Sequence, residues 1–225
     1  MICVSINEKN YNNAIEIASL YDFAEIRIDL LETVENKIVK KIFSSHKNLI
    51  ATYRKKDESD AKRLSILKTA IESGAAYIDI DINEGKKFIS FAKSLCKDKN
   101  QQLSKGRKNT NLIISYHNFE ETPTLDILDK VITEAIANGA DIVKIACTIK
   151  NKTDIERLLS LPDYYSPVKI VIAGMGEKGG RVRVLAETAG SFFTYASHDK
   201  KSSTAEGQLD YKTLVKEQGK IVSGW

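Results

Sequence analysis

Cysteine is scarce: Cys3, Cys96 and Cys147 are odd in number, far apart and outside any CxxC spacing. They supply neither a disulfide framework nor a zinc site, and a reducing, cytoplasmic setting is expected. Proline is equally rare, with three in 225 residues. No linker-like stretch interrupts the chain, so one domain spanning 1–225 is expected. No apolar run approaches the length of a membrane span. The opening "MICVSINEKNYNN" turns polar after six residues, too early for a signal peptide. Neither charge sign dominates, since 34 Lys and Arg against 30 Asp and Glu leave a formal net charge of +4. Much of that excess lies in Lys97 to Lys108, "KDKNQQLSKGRK", which reads as a solvated loop. No basic stripe with interleaved aromatics accompanies it, which argues against a nucleic-acid partner. Histidine, the usual acid–base residue near neutral pH, occurs only at 46, 117 and 198.

What the chain does have is rhythm. Short β-rich runs begin at Ile2, Glu25, Asn48, Tyr77, Asn111, Asp141, Val168 and Phe192. Their starts lie 23, 23, 29, 34, 30, 27 and 24 residues apart, room each time for one helix and two loops. The intervening segments carry helix signals. "TPTLDILDKVITEAIANGA" has a proline near its first turn and ends in Asn138–Gly139. "NKTDIERLLSL" offers Thr153 as an N-cap with Glu156 completing a capping box. Strand then helix, eight times over, predicts a (β/α)8 TIM barrel, with a doubly wound open sheet as the alternative.

The strands alternate. "EIRIDL" carries Glu25, Arg27 and Asp29 on one face, and "YIDIDI" carries Asp79 and Asp81 on one face. Ser115 shares a face with His117, and Lys144 with Ala146 and Thr148. Apolar faces turned to the helices leave the polar ones converging inside a barrel. Buried charges cost desolvation energy, so such convergence indicates a site more than a stabilising core. Lys144, in the middle of "DIVKIACT", is the least expected of them. The chemistry that needs a buried lysine is attack on a ketone or aldehyde to form a Schiff base. A free lysine is neutral at pH 7 only about once in two thousand times; apolar walls and neighbouring arginines raise that fraction, while carboxylates such as Asp79 or Asp81 oppose it. An imine also needs a proton shuttle, for which His117, one strand earlier, is the candidate. His46 falls at the wrong end of a barrel, and His198 lies beyond the last strand.

At this point the chain resembles a known family, the type I 3-dehydroquinate dehydratases of the shikimate pathway. The resemblance rests on ordered motifs over nearly the whole length: "EIRID", "TYR" with Glu58 four residues after Arg54, "YIDID", "ISYHNF" followed by "TP", "VKIA", "IAGMG", Arg183 to Ser191, and "EGQ" ending at Gln208. It implies a lyase acting on 3-dehydroquinate, with Lys144 as the Schiff-base lysine and His117 as the general acid–base. It further implies Glu58 as the carboxylate that positions the histidine and Arg183 as the grip on the substrate carboxylate. Glu25, Arg27 and Arg54 match substrate-contacting or site-organising positions, Thr204 and Gln208 match a loop that folds over the ligand, and Met175 matches an apolar wall. The family implies no metal, no cofactor and a homodimer. This chain has "ESD" where relatives commonly carry Glu-Gly-Gly, Asp81 for glutamate, Thr204 for serine, and "AEGQ" for "APGQ".

Two other enzyme readings compete. "GMGEKG", Gly174 to Gly179, spells the dinucleotide fingerprint G-x-G-x-x-G, but after a seventh strand instead of in an opening βαβ unit. A class I aldolase acting on a phosphosugar would also use a barrel lysine, with glycines cradling a phosphate. Arg183 together with Glu25 and Arg27 favours a reader of carboxylate and hydroxyls. A catalytically retired barrel acting as a binding module is the non-enzymatic reading.

Overall fold

The computed structural model describes residues 1–102, 110–203 and 205–223. Along them eight strands alternate with eight α-helices. In chain order these are β1 (Ile2–Ile6), α1 (Tyr11–Ala18), β2 (Ala24–Arg27), α2 (Asn36–Ser45), β3 (Leu49–Thr52), α3 (Asp60–Ser73), β4 (Tyr77–Asp81) and α4 (Lys86–Gln102). They continue as β5 (Asn111–Asn118), α5 (Leu125–Ala137), β6 (Ile142–Thr148), α6 (Lys152–Tyr164), β7 (Ile170–Met175), α7 (Gly179–Leu185), β8 (Thr194–Ser197) and α8 (Tyr211–Ser223). The strands form one sheet in the order β7-β6-β5-β4-β3-β2-β1-β8. The β1–β8, β2–β3, β3–β4 and β6–β7 pairs are parallel. The fold is the expected (β/α)8 TIM barrel. No helix among the described residues is long and apolar enough to cross a membrane.

Three local expectations are corrected. The backbone leaves the second strand after Arg27 and the fourth after Asp81, entering 3₁₀ turns at Ile28–Leu30 and Ile82–Glu84. Asp29 is therefore not on a strand face; it sits on a turn and reaches back to Arg27. The capping box of α6 lies two residues earlier than its pattern suggested: Asn151 Oδ1 accepts from the Asp154 amide at 3.1 Å, and Asp154 accepts from the Asn151 amide at 3.2 Å. Asp154 wins because its carboxylate also takes the Lys150 amide and Arg157. The basic segment from Lys97 is helical as far as Gln102; the rest of that expected loop lies outside the described residues.

The chain divides into two compact units: Met1–Ser5, Ser115–Glu134 and Ile142–Trp225 form the first, and Ile6–Ile114 with Ala135–Asp141 the second. In the first, the segment leading into β8 meets β7 through a side chain. Ser191 Oγ accepts from the Ile172 amide at 3.2 Å and donates to the Phe193 carbonyl at 2.8 Å, while the Phe192 amide donates to Ile170 at 2.8 Å. In the second, α2 buries Ile38, Val39, Ile42 and Phe43, and α3 buries Ile66, Leu67, Ala70 and Ile71. Each buried Val, Leu, Ile or Phe among them stabilises by about 1.5–3 kcal/mol. Ser59 caps the start of α3 and Gly74, at φ +116°, ends it in a conformation that favours glycine. His46 is structural here: its Nδ1 accepts from the Asn48 amide at 3.1 Å, so Nε2 carries the proton it donates to the Tyr21 carbonyl at 2.8 Å.

Candidate active site

In the first unit, β6 carries Lys144 between Val143 and Ile145, with the residue only 7% exposed. Its ammonium stands 4.2 Å above the centroid of the Tyr195 ring, a cation–π arrangement that offsets part of the cost of leaving water. Tyr195, on β8, had no motif to announce it; its place in the alternating run "FFTYAS" was the available signal. Toward the C-terminal end of β6, Ala146 pairs in register with Ala173 and Thr148 with Met175. Ala146, Ala173 and Met175 form an apolar cluster with Ala205 packed against it. Met175, on β7, thus lies on the sheet face that carries Lys144, within that apolar cluster.

His117 is near the end of β5, the neighbour of β6 in the sheet. Its ring stacks on Phe119 at 6.1 Å between centroids, nearly parallel at 12°. The strand stops there because Asn118 Oδ1 accepts the amides of Glu120 and Glu121, each at 2.9 Å. The loop beyond is fastened to the end of β6: Thr122 Oγ1 donates to the Thr148 carbonyl at 2.8 Å, and Thr148 Oγ1 to that of Phe119 at 2.9 Å. Cys147 alternates to the opposite face of β6, and burial pushes its thiol up to about 12, which leaves it inert at neutral pH.

Arg183 shows what the glycines of "GMGEKG" do. A Cβ on Gly174 would lie 2.6 Å from the Gly179 carbonyl oxygen, and one on Gly179 would lie 2.5 Å from the Gly174 carbonyl carbon. Bare backbone therefore lets α7 pack directly on β7. That approach brings Arg183 Nε within 2.9 Å of the Gly174 carbonyl, with Nη1 3.4 Å from that of Tyr195. Arg183 is 3% exposed and pairs with no carboxylate among the described residues. Burial drives its pKa down to about 10, with Tyr195 acting weakly the other way. The same turn anchors the segment after β8. The Gly176 amide donates to the Glu206 carbonyl at 3.0 Å, and Gly207, at φ +75°, leaves no room for a Cβ beside the Gly176 oxygen. Gln208 is half-buried in this segment; Thr204 lies outside the described residues.

The second unit gathers the other expected residues around carboxylates. Arg27, Thr52 and Asp79 lie in one row across β2, β3 and β4. Glu25 is 4% exposed and accepts from Thr52 Oγ1 at 2.7 Å. Arg27 forms a two-point pair with Asp29, Nε to Oδ1 at 3.0 Å and Nη2 to Oδ2 at 2.8 Å. Burial opposes the charge on Arg27, but the Asp29 hydrogen bond and the charges of Glu25 and Asp29 outweigh it and raise its pKa. Arg54 Nη2 donates to Asp79 Oδ1 at 2.7 Å. There too burial opposes the charge, and Asp79, Asp81 and Glu25 together raise the pKa above the ordinary arginine value. Glu58 lies half-buried on the bend before α3.

Sequence inspection missed a buried ion pair beneath that bend. Arg63 is 0% exposed and meets both Glu84 oxygens, at 2.8 and 2.5 Å. Its signal was available: residues 63, 66, 67, 70 and 71 make the buried stripe of α3, and an arginine there demands a partner.

Comparison with known proteins follows the same lines. The sequence profile of the family described as Type I 3-dehydroquinase matches residues 2–217. A 3-dehydroquinate dehydratase of Methanocaldococcus jannaschii is 37% identical over 224 residues, covering 95% of this chain and 96% of that protein. Another, from Thermodesulfovibrio yellowstonii, is 34% identical over 203 residues, covering 86% and 83%. Among solved structures, the type I 3-dehydroquinate dehydratase of Clostridium difficile gives a TM-score of 0.82 at 23% identity, covering 100% of this chain and 92% of that one. The 3-dehydroquinate dehydratase of Aquifex aeolicus gives 0.80 at 24%, covering 99% of each. These structural likenesses carry the fold, and the sequence matches carry the kinship: this chain belongs to the type I 3-dehydroquinase family.

Proposed function

We propose that this chain is a 3-dehydroquinate dehydratase of the shikimate pathway, converting 3-dehydroquinate to 3-dehydroshikimate through an imine on Lys144. The observation that most supports the reading is a lysine buried at 7% exposure in mid-strand, on the face that carries the apolar cluster. Its relatives of 34% to 37% identity bear the dehydratase name.

In this mechanism Lys144 Nζ adds to the substrate ketone, and loss of water gives an iminium. The iminium acidifies the adjacent carbon, from which His117 takes a proton to leave an enamine. The enamine pushes out the β-hydroxyl, which departs as water with the proton returned by His117. Hydrolysis of the conjugated iminium then frees the enone product and the amine. Glu58 orients His117. Arg183, a buried guanidinium without a carboxylate partner among the described residues, takes the substrate carboxylate, for which its planar fork suits. Glu25, Arg27 and Arg54 read the substrate's polar groups, Met175 supplies an apolar wall, and Thr204 and Gln208 belong to the segment that covers the ligand. The protein supplies every group these steps require.

The test is turnover of 3-dehydroquinate followed by the ultraviolet absorbance of the enone. Wild-type protein is expected to produce it, and Lys144→Ala to fall to background while melting at the wild-type temperature. Appreciable turnover by the folded alanine variant would contradict the imine.

A further inference from the structure

Tyr53 follows β3 directly and is 1% exposed. Its backbone is held from α3, where Arg63 Nη2 donates to its carbonyl at 2.9 Å. Arg63 is itself fixed by Glu84 and stacked 4.4 Å over Phe88. The Tyr53 phenol lies against the side chain of Glu58, which acts on it both as a charge and as a hydrogen-bonding group. Yet Tyr53 Oη and Glu58 Oε2 are each buried without a formed hydrogen bond among the described residues. One has a proton to give, the other a lone pair to receive it, and water reaches neither. A buried donor and a buried acceptor left this way are costly until they are paired. Phenylalanine would fill the ring's space, so packing alone does not call for the oxygen.

Resting on the reading of Glu58 as the carboxylate that orients His117, we propose that Tyr53 is a positioning residue whose hydroxyl donates to Glu58 Oε2 in the substrate complex, holding that carboxylate in its aim. Burial first, and then the Glu58 charge, push the phenol up to about 12, so it remains a donor at any working pH. The other charges that face it are Arg63 from α3 and Asp29 from the turn after β2. Behind Arg63 stand Glu84 and, at 3.5 Å, Asp60.

The experiment compares Tyr53→Phe, Glu58→Gln and the double variant by kcat and KM. Tyr53→Phe is expected to lower kcat about 3- to 10-fold with KM unchanged. Made in Glu58→Gln, the same change should do nothing further. Wild-type kcat in Tyr53→Phe, a loss carried by KM instead of kcat, or an equal loss in both backgrounds would overturn the inference while leaving the role of Glu58 intact. Wild-type behaviour of Glu58→Gln would overturn it differently, by removing the reading on which it rests.

Discussion

Arginines in the two units are handled in opposite ways. Arg54 and Arg27 in the second unit are each matched by carboxylates, Asp79 for one and Asp29 for the other, and their pKa values are raised. Arg183 in the first unit has two backbone carbonyls and no carboxylate among the described residues, and its pKa is lowered to about 10. A guanidinium whose charge is already neutralised organises its surroundings. One left with dipoles alone keeps an unmet demand for an anion. The difference is the physical ground for the proposal that Arg183 takes the substrate carboxylate.

Within this comparison, removing the unmatched cation should give the largest effect. Arg183→Met is expected to reduce kcat/KM for the keto acid about 100-fold, mainly through KM, by deleting a charge-assisted two-point contact. Its thermal stability should hold or rise, since a thioether replaces an uncompensated buried charge. Steady-state kinetics with a melting curve measure both, and unchanged KM with lost stability would erase the contrast. Breaking the matched arginine should do the reverse. Asp79→Asn leaves Arg54 short of its nearest partner, and about 2 kcal/mol of stability should be lost. That is less than a fully buried pair would cost, because the Arg54 side chain is 21% exposed and other carboxylates remain. The melting temperature should fall by about 5 °C.

A carboxylate that serves a helix end sharpens the contrast at the small end. Asp210 accepts from the Thr213 amide at 3.0 Å and its hydroxyl at 2.6 Å, and the Thr213 hydroxyl is the chief cause of its lowered pKa. A depressed folded-state pKa contributes stability that is present above the ordinary aspartate range and lost as pH falls through the lowered value. Asp210→Ala should therefore cost about 1 kcal/mol at pH 7, with the gap to wild type narrowing under acid. Melting temperatures from pH 7 down to pH 3 follow it, and a gap that widens on acidification would reverse the assignment.

The strand count was legible because each β-rich run recurs at helix-plus-loop spacing, and eight such runs leave little choice of architecture. The strand ends were not. Alternation continues unbroken through "EIRIDL" and "YIDIDI", yet Asp81 caps a turn through the Asn83 amide and Asp29 folds back on Arg27. Periodicity cannot distinguish a strand from the turn that ends it. At the site, Lys144 was conspicuous as a cation among aliphatics, whereas Tyr195 beneath it and Tyr53 beside Glu58 were ordinary aromatics in ordinary runs. What makes them matter is the neighbour each meets, which only the folded chain supplies.

The covalent step offers the most direct test. Intact protein incubated with 3-dehydroquinate, reduced with borohydride, then weighed and peptide-mapped should carry one adduct, on Lys144. Turnover with no trapped adduct, or an adduct on a different lysine, would contradict the account.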